Sequence, residues 1–522
     1  VNYLPVFIHR ERFRTPTAGA PKWEKFAFCA AFALLGACAV APIWETRFLP
    51  TLDEPNHLSA IYIWRSLSDP LSPLHSFYKE SFAPVSYLLH YGLAYLFATV
   101  LGVEAAHKLT LTLYVLALPS AAYLWCRRTR RTGWLCLTTL PLAFSASWAY
   151  GYHPFNLGMA AFLFGVVAYD RLLGKPGPSA WFYAMLASLA CYFGHPFPLA
   201  LLLVCAALLW LLRGPRLRSA ALVSSAFSPS CLLVIWQVKA ASLNASAPAR
   251  ALGEELLVVN RRLWFDRVLD LPQYAVNPLS SAYDSKLFVA LVAMVAAIWL
   301  IQTIRRAEPL RSAFIAHRAL WLALGLFALY LVMPEHLNEP VYMWIARGRI
   351  APAIGFFFLL SCPLRPGSTA RWVALAAALA ATPLYFEMGV QYRDFGRFMN
   401  GMENVLDACP AQAQVLTIRL GNQNFPGIDV PVLRELSSWV QVVHGGYSPL
   451  RFERPIAFPF TVIRTLPAPD WRQHDYFWPY LLSRKFGCAL FLGYFGDLPG
   501  KSWSLARTEG LWKLYLSTQY RR

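Results

Sequence analysis

Apolar runs dominate the first three quarters of the chain. They fall at 26–44, 85–102, 108–126, 132–150, 155–172, 179–194, 196–213, 219–236, 287–304, 319–334, 348–364 and 371–388. A helix crosses a bilayer with about 20 largely apolar residues. The runs therefore predict a polytopic α-helical membrane protein, with a transmembrane region over 26–388 behind a cytoplasmic N-terminal segment 1–25. Segment 26–44 reads as an anchor: it has no clear small-residue cleavage site, and a long basic stretch precedes it. After residue 388 the pattern changes. Pro-rich turns and mixed charge surround short β-type runs, Val415–Ile418 and Trp439–Val443, with a helical stretch at Phe395–Leu406. Residues 389–522 thus predict a small α/β domain.

Charge orients this arrangement. Arg10, Arg12, Arg14, Lys22 and Lys25 precede the first run. Further clusters are Arg127, Arg128, Arg130 and Arg131; Arg171 with Lys175; Arg213, Arg216 and Arg218; Arg305, Arg306 and Arg311; and Arg365 with Arg371. Basic loops face the cytoplasm. The opposite side then receives loop 45–84, turns near His153 and His195, loop 240–286, loop 334–347 and the tail. Two full crossings at 85–102 and 108–126 would put Arg127–Arg131 on the wrong side. One of those segments is therefore expected to be re-entrant or juxtamembrane, leaving about eleven spans.

Composition agrees. The 522 residues are 57% hydrophobic and 14% charged, where soluble domains carry about 25% charged residues. This excludes an ordinary soluble enzyme and a disordered chain. The net charge of +19 would suggest nucleic acid on a soluble protein. Here it is accounted for by the cytoplasmic clusters, and no nucleic-acid partner is expected. Of ten cysteines, Cys409 and Cys488 lie in the tail, where spacing leaves open a disulfide or two thiols. No CxxC, HExxH, P-loop or GxGxxG constellation is present in the right context, and no internal repeat.

Candidate chemistry starts in the first external loop, Thr51-Leu52-Asp53-Glu54-Pro55-Asn56-His57-Leu58. Pro55 suits the first turn of a helix, and Asp53 and His57 are four apart on it. Asp53 either caps this helix or takes a proton from an acceptor hydroxyl at the membrane surface. The order continues with Phe77-Tyr78-Lys79-Glu80, Ala83-Pro84-Val85-Ser86-Tyr87, and Ala105-Ala106-His107-Lys108-Leu109 opening a run that ends in arginines.

This layout resembles the GT-C superfamily of membrane glycosyltransferases, which includes protein O-mannosyltransferase-like proteins and aminoarabinose transferases of lipid A. In that superfamily the first external loop carries a catalytic Asp or Asp-Glu. The resemblance implies an inverting enzyme that uses a polyprenyl-phosphate sugar donor and a glycan, lipid or protein acceptor. It implies Asp53 as general base and Glu54 as a residue that orients the acceptor or binds a metal. It places the protein in a bacterial inner membrane with a periplasmic tail. The second external turn, Tyr150-Gly151-Tyr152-His153-Pro154-Phe155-Asn156, lacks the second acidic residue many relatives have. His153 and Asn156 are its polar candidates, and a metal-independent mechanism is open, as is a divalent cation.

Further candidates for substrate or phosphate binding are His57, His195 in Gly194-His195-Pro196-Phe197, and above all Arg347 and Arg349. Those two arginines lie on the external side, against the positive-inside trend, and guanidinium matches phosphate bidentately. Pairing of Arg347 or Arg349 with Glu335 or Glu339 is the competing reading, as is snorkelling. Arg261 and Arg262 are weaker candidates of the same kind. His195 and His153 have a plainer reading as caps of helix hairpins. His444-Gly445-Gly446-Tyr447 reads as a turn after a strand. Rival functions are a polysaccharide polymerase or ligase and a transporter or flippase. The transporter class would show charged, broken mid-membrane helices and internal repeats.

Overall fold

The computed structural model describes residues 22–81, 83–244, 264–306, 317–337, 343–411, 413–447, 458–464, 481, 485–494, 496, 498 and 502–518. Arg10, Arg12, Arg14, Arg261, Arg262, Arg311 and Glu339 lie outside them.

All twelve apolar runs fall on helical segments, with boundaries set by Pro and Gly. The first is α1 (Lys22–Trp44). Loop one contains α2 (Glu54–Leu67) and β1 (Tyr78–Glu80). Then come α3 (Leu88–Ala98) and α4 (Val103–Thr129). Run 132–150 is not one helix but a 3-10 segment, Gly133–Ala143, and one turn, α5 (Ala146–Ala149). Pro141, which lacks a backbone N–H, sits near the end of the 3-10 segment.

Helices α6 (His153–Gly174), α7 (Pro178–Gly194) and α8 (Pro196–Leu212) each begin with Pro in their first turn. They are followed by α9 (Leu217–Asn244), α10 (Trp264–Ala275), α11 (Ala282–Arg306), α12 (Arg318–Val332) and α13 (Ala351–Ser361). Run 371–388 spans the end of α14 (Ser368–Leu379) and the start of α15 (Thr382–Leu406). These two separate just ahead of Pro383, whose ring disfavours helix at the residue before it.

Among the described residues, six helices are long and apolar enough to cross a membrane. Others, including α3 and α13, are shorter. This is a multi-pass membrane protein. At 1.5 Å per residue, α3 extends about 16 Å, half a hydrocarbon core. It lies against α2, α4 and α6.

The tail builds a four-stranded sheet in the order β2-β4-β6-β5, from β2 (Val415–Arg419), β4 (Cys488–Leu492), β5 (Trp503–Glu509) and β6 (Trp512–Ser517). β2 and β4 run parallel; β4–β6 and β6–β5 are antiparallel. Cys409 and Cys488 form a disulfide at the start of β4, an interior strand of this sheet. The stretch Trp439–Val443, expected as a strand, is instead part of α16 (Leu436–His444). Leu436, Trp439 and Val440 are all buried, which is the i, i+3, i+4 spacing of a helix face. His444–Tyr447 therefore follows a helix, which Gly445 closes with φ +80°.

Two junctions tie loop one to the tail. β1 pairs antiparallel with β3 (Phe460–Val462), with Tyr78 opposite Val462. α16 packs on α2, where Ser438 donates to the Asn56 side-chain carbonyl and Ser59 to that of Gln441. Phe48, Leu52 and Leu58 of loop one share an apolar core with Met399, Trp439 and Trp512. The loop that bears Asp53 is thus clamped between the helical bundle and the tail.

Candidate functional site

Asp53 occupies the N-cap position of α2, yet its carboxylate makes no capping hydrogen bond. The capping reading fails here because its backbone is near αR (φ −92°, ψ 0°), whereas capping geometry needs an extended residue. The turn before α6 holds Asp53 in place. Leu52 N–H donates to Ala149 O (3.0 Å) and Asp53 N–H to Tyr150 O (3.2 Å). Gly151 follows in the left-handed region, φ +72°. A Cβ there would lie 2.7 Å from Asp53 N and 3.0 Å from Glu54 N, so only glycine fits.

Asp53 is 7% exposed. Burial, with a push from Glu435, raises its carboxyl to about 8 against the opposing pull of Arg434 and Arg349. Two of these groups belong to the tail, and the sequence pattern did not single them out. Glu54 is driven the other way. Burial would raise it, but the facing His107 and His153 hold it below the ordinary carboxylate value. Adjacent carboxyls thus differ in character, one prone to hold a proton and one firmly charged.

Glu54 Oε2 lies 2.8 Å from His107 Nε2 and 2.7 Å from His153 Nε2. His153 also lies 3.3 Å from Thr51 Oγ1. His57, one turn along α2, sets Nδ1 2.7 Å from Tyr91 Oη, and its ring centroid is 5.6 Å from that of His153. His90 stands 5.2 Å from His107 and 5.7 Å from His57. Four histidines from four helices therefore surround one carboxylate, all essentially buried. Of these, His57 and His153 were expected; His90 and His107 were not singled out. Each is a lone histidine in an apolar run, and only the packing of α3 against α4 unites them. Glu54, His107 and His153 offer a donor set that could hold a metal ion.

Asn156 points elsewhere, accepting from Ser147 Oγ at 2.8 Å. His195 is the N-cap of α8, its Nδ1 accepting from Phe197 N–H (3.0 Å). Its ring stacks 5.4 Å from Tyr87, a non-glycine residue held at φ +76°.

The two arginines diverge. Arg347 pairs with Asp270 (3.0 Å) and Glu335 (2.6 Å), so its charge is consumed. Arg349 packs its guanidinium 3.8 Å over the Tyr152 ring and 5.1 Å from Phe155. Its nitrogens donate to Trp344 O (3.1 and 3.0 Å). It is 6% exposed and has no carboxylate partner among the described residues. It interacts electrostatically with Asp53.

Three comparisons bear on this arrangement. No protein-family model matches the chain, and no curated protein does. Solved structures do. The crystal structure of ArnT from Cupriavidus metallidurans bound to undecaprenyl phosphate superposes with a TM-score of 0.53 at 12% identity, over 96% of this chain and 100% of that one. The apo state of the same protein gives 0.50 at 12% identity, over 94% and 97%. The chain shares the overall fold of ArnT. At 12% identity the likeness establishes architecture alone. The arabinofuranosyltransferase AftD from Mycobacteria aligns over 41% of its own length, with a TM-score of 0.48 at 12% identity.

Proposed function

We propose that this chain is a membrane glycosyltransferase that moves a sugar from a polyprenyl-phosphate-linked donor to an acceptor hydroxyl or amine, with Asp53 as general base. The observation that carries this is an uncapped, buried carboxyl at Asp53 within electrostatic reach of the buried, ring-stacked Arg349, whose guanidinium is left without a carboxylate partner among the described residues. ArnT, which shares the fold, is seen with undecaprenyl phosphate.

In this reading Asp53 reacts in its ionised form, its raised proton affinity making it the stronger base: the acceptor oxygen or nitrogen attacks the anomeric carbon and gives its proton to an Asp53 carboxylate oxygen. The bond from that carbon to the phosphate oxygen breaks, the electron pair leaves with the polyprenyl phosphate, and the configuration inverts. Arg349 receives the departing phosphate. Its planar fork is presented by Tyr152 and Phe155, so little ordering is left to do at the moment of reaction. Glu54 with its histidines fixes the start of α2 and so the position of Asp53. Arg434 and Glu435, brought in by the tail, border the acceptor side. The enzyme sits in a bacterial inner membrane with the tail in the periplasm.

The test is Asp53→Asn. It should abolish sugar transfer while membrane insertion and binding of the lipid donor persist. Transfer at the wild-type rate by this variant would refute the base assignment. A reporter fused in the tail should be active only outside the cytoplasm, and cytoplasmic activity would overturn the orientation.

A further inference from the structure

We propose that Glu54, His107 and His153 form a binding site for one divalent transition-metal ion of the zinc class. The inference stands on the donor geometry and does not depend on which group the enzyme transfers.

The three donors come from three separate elements: the first residue of α2, the first turn and a half of α4, and the first residue of α6. Their ligand atoms all lie within 4.8 Å of one another. Tetrahedral zinc with ligand bonds of about 2.0–2.2 Å needs its ligand atoms roughly 3.4 Å apart. The present contacts of 2.7 and 2.8 Å are shorter than that spacing, so the Glu54 oxygen would withdraw by about 0.6–0.7 Å from each imidazole to admit an ion.

Two imidazole nitrogens converge on one carboxylate oxygen, and an unpartnered imidazole stands beside them. Glu54 Oε2 is shared by two imidazoles, while its neighbour His90 has both ring nitrogens buried with no hydrogen-bond partner. His90 lies 5.2 Å, centroid to centroid, from His107 and 6.2 Å from His153. Buried polar atoms are nearly always satisfied, so this fully buried imidazole calls for a partner such as a water at the free position of the ion. Lys108, next to His107, does not fill that role, because its ammonium is turned to Thr46 O.

The donor chemistry selects the ion. Two imidazoles and one carboxylate suit zinc and its neighbours, whereas magnesium and calcium prefer all-oxygen sets. Three protein ligands also leave one position free, the arrangement of a reactive site and not of a closed structural one.

Metal content reads this directly. The full-length protein, purified in detergent without a polyhistidine tag, should retain about one zinc per chain by mass spectrometry of the metal. Glu54→Gln, His107→Ala and His153→Ala should each lower that at least tenfold. His75→Ala, an exposed histidine in loop one, should leave it unchanged. Metal content no higher in the wild type than in the three variants would overturn the site. Because a variant may fail to fold, chelator-stripped wild type is also titrated with cobalt(II). A saturable visible absorption typical of four-coordinate cobalt, displaced by one equivalent of zinc, is expected. A titration without such bands would overturn the proposal, and neither readout requires sugar transfer.

Discussion

Substituting Gly151 by alanine is the sharpest probe of how the site is held. The residue has φ +72°, and an alanine forced into that region loses about 1–2 kcal/mol. Its new Cβ would stand 2.7 Å from the backbone nitrogen of Asp53, whereas ordinary Cβ contacts begin at 3.4 Å. Loop one must therefore retreat by about 0.7 Å, and displacement of a packed backbone costs a further ~1–3 kcal/mol. The sum is about 2–5 kcal/mol of stability. The displacement falls on Asp53 itself, and a misplacement near 1 Å costs on the order of 100-fold in rate. Initial rates of sugar transfer and thermal melting should be measured together, with Gly92→Ala as the control. A Cβ at Gly92, in the middle of α3, meets nothing within 4 Å, so that variant should stay within about 1 kcal/mol of wild type. Gly151→Ala with wild-type transfer and wild-type melting would refute the claim that the turn before α6 sets the position of Asp53.

Three more outcomes are expected. Arg349→Ala should raise the KM for the lipid donor strongly with little change in melting. Arg347→Ala should instead destabilise the fold, because Asp270 and Glu335 lose their shared cation; equal KM effects would contradict the division of roles. Cys409→Ser should weaken the tail, since a bridge across a sequence separation of 79 is worth roughly 4 kcal/mol in the chain-entropy model. Limited proteolysis that finds the variant tail as resistant as wild type would contradict this. Asp170→Asn should destabilise by ~3 kcal/mol or more, because Arg128, Arg213 and Arg318 all converge on that fully buried carboxylate. Unchanged melting in detergent would count against it.

The sequence carried the helices because each apolar run is bounded by Pro, Gly or Arg, and those boundaries are local. It carried Asp53, Glu54 and His153 because a charged or polar residue beside Pro at an apolar boundary is legible in one dimension. His107 and His90 were not legible for the opposite reason. Nothing in an apolar run says which of its faces meets another helix, and the cluster exists only where α2, α3, α4 and α6 converge. Arg347 and Arg349 looked alike, two residues apart on the same helix start. Their separation into a paired and an unpaired cation depends on Asp270, more than 70 positions upstream. The misreading of Trp439–Val443 had a physical cause too. Valines and tryptophan favour strands, but burial of Leu436, Trp439 and Val440 against α2 rewards a helix, and tertiary packing overrides propensity.

The pairing of β1 with β3 has a bearing on how such proteins diversify. A tail that were merely tethered after α15 could be traded between enzymes as a cassette, bringing a new acceptor preference with it. Here one strand of the tail's contact with the membrane domain is lent by loop one, and α16 reads the face of α2 through Asn56 and Ser59. A transplant cut only after residue 406 would arrive without its partner strand. Chimeras of this protein are therefore expected to work only when residues 45–84 travel with the tail, so that the loop bearing Asp53 and the tail are inherited as one unit despite lying far apart along the chain.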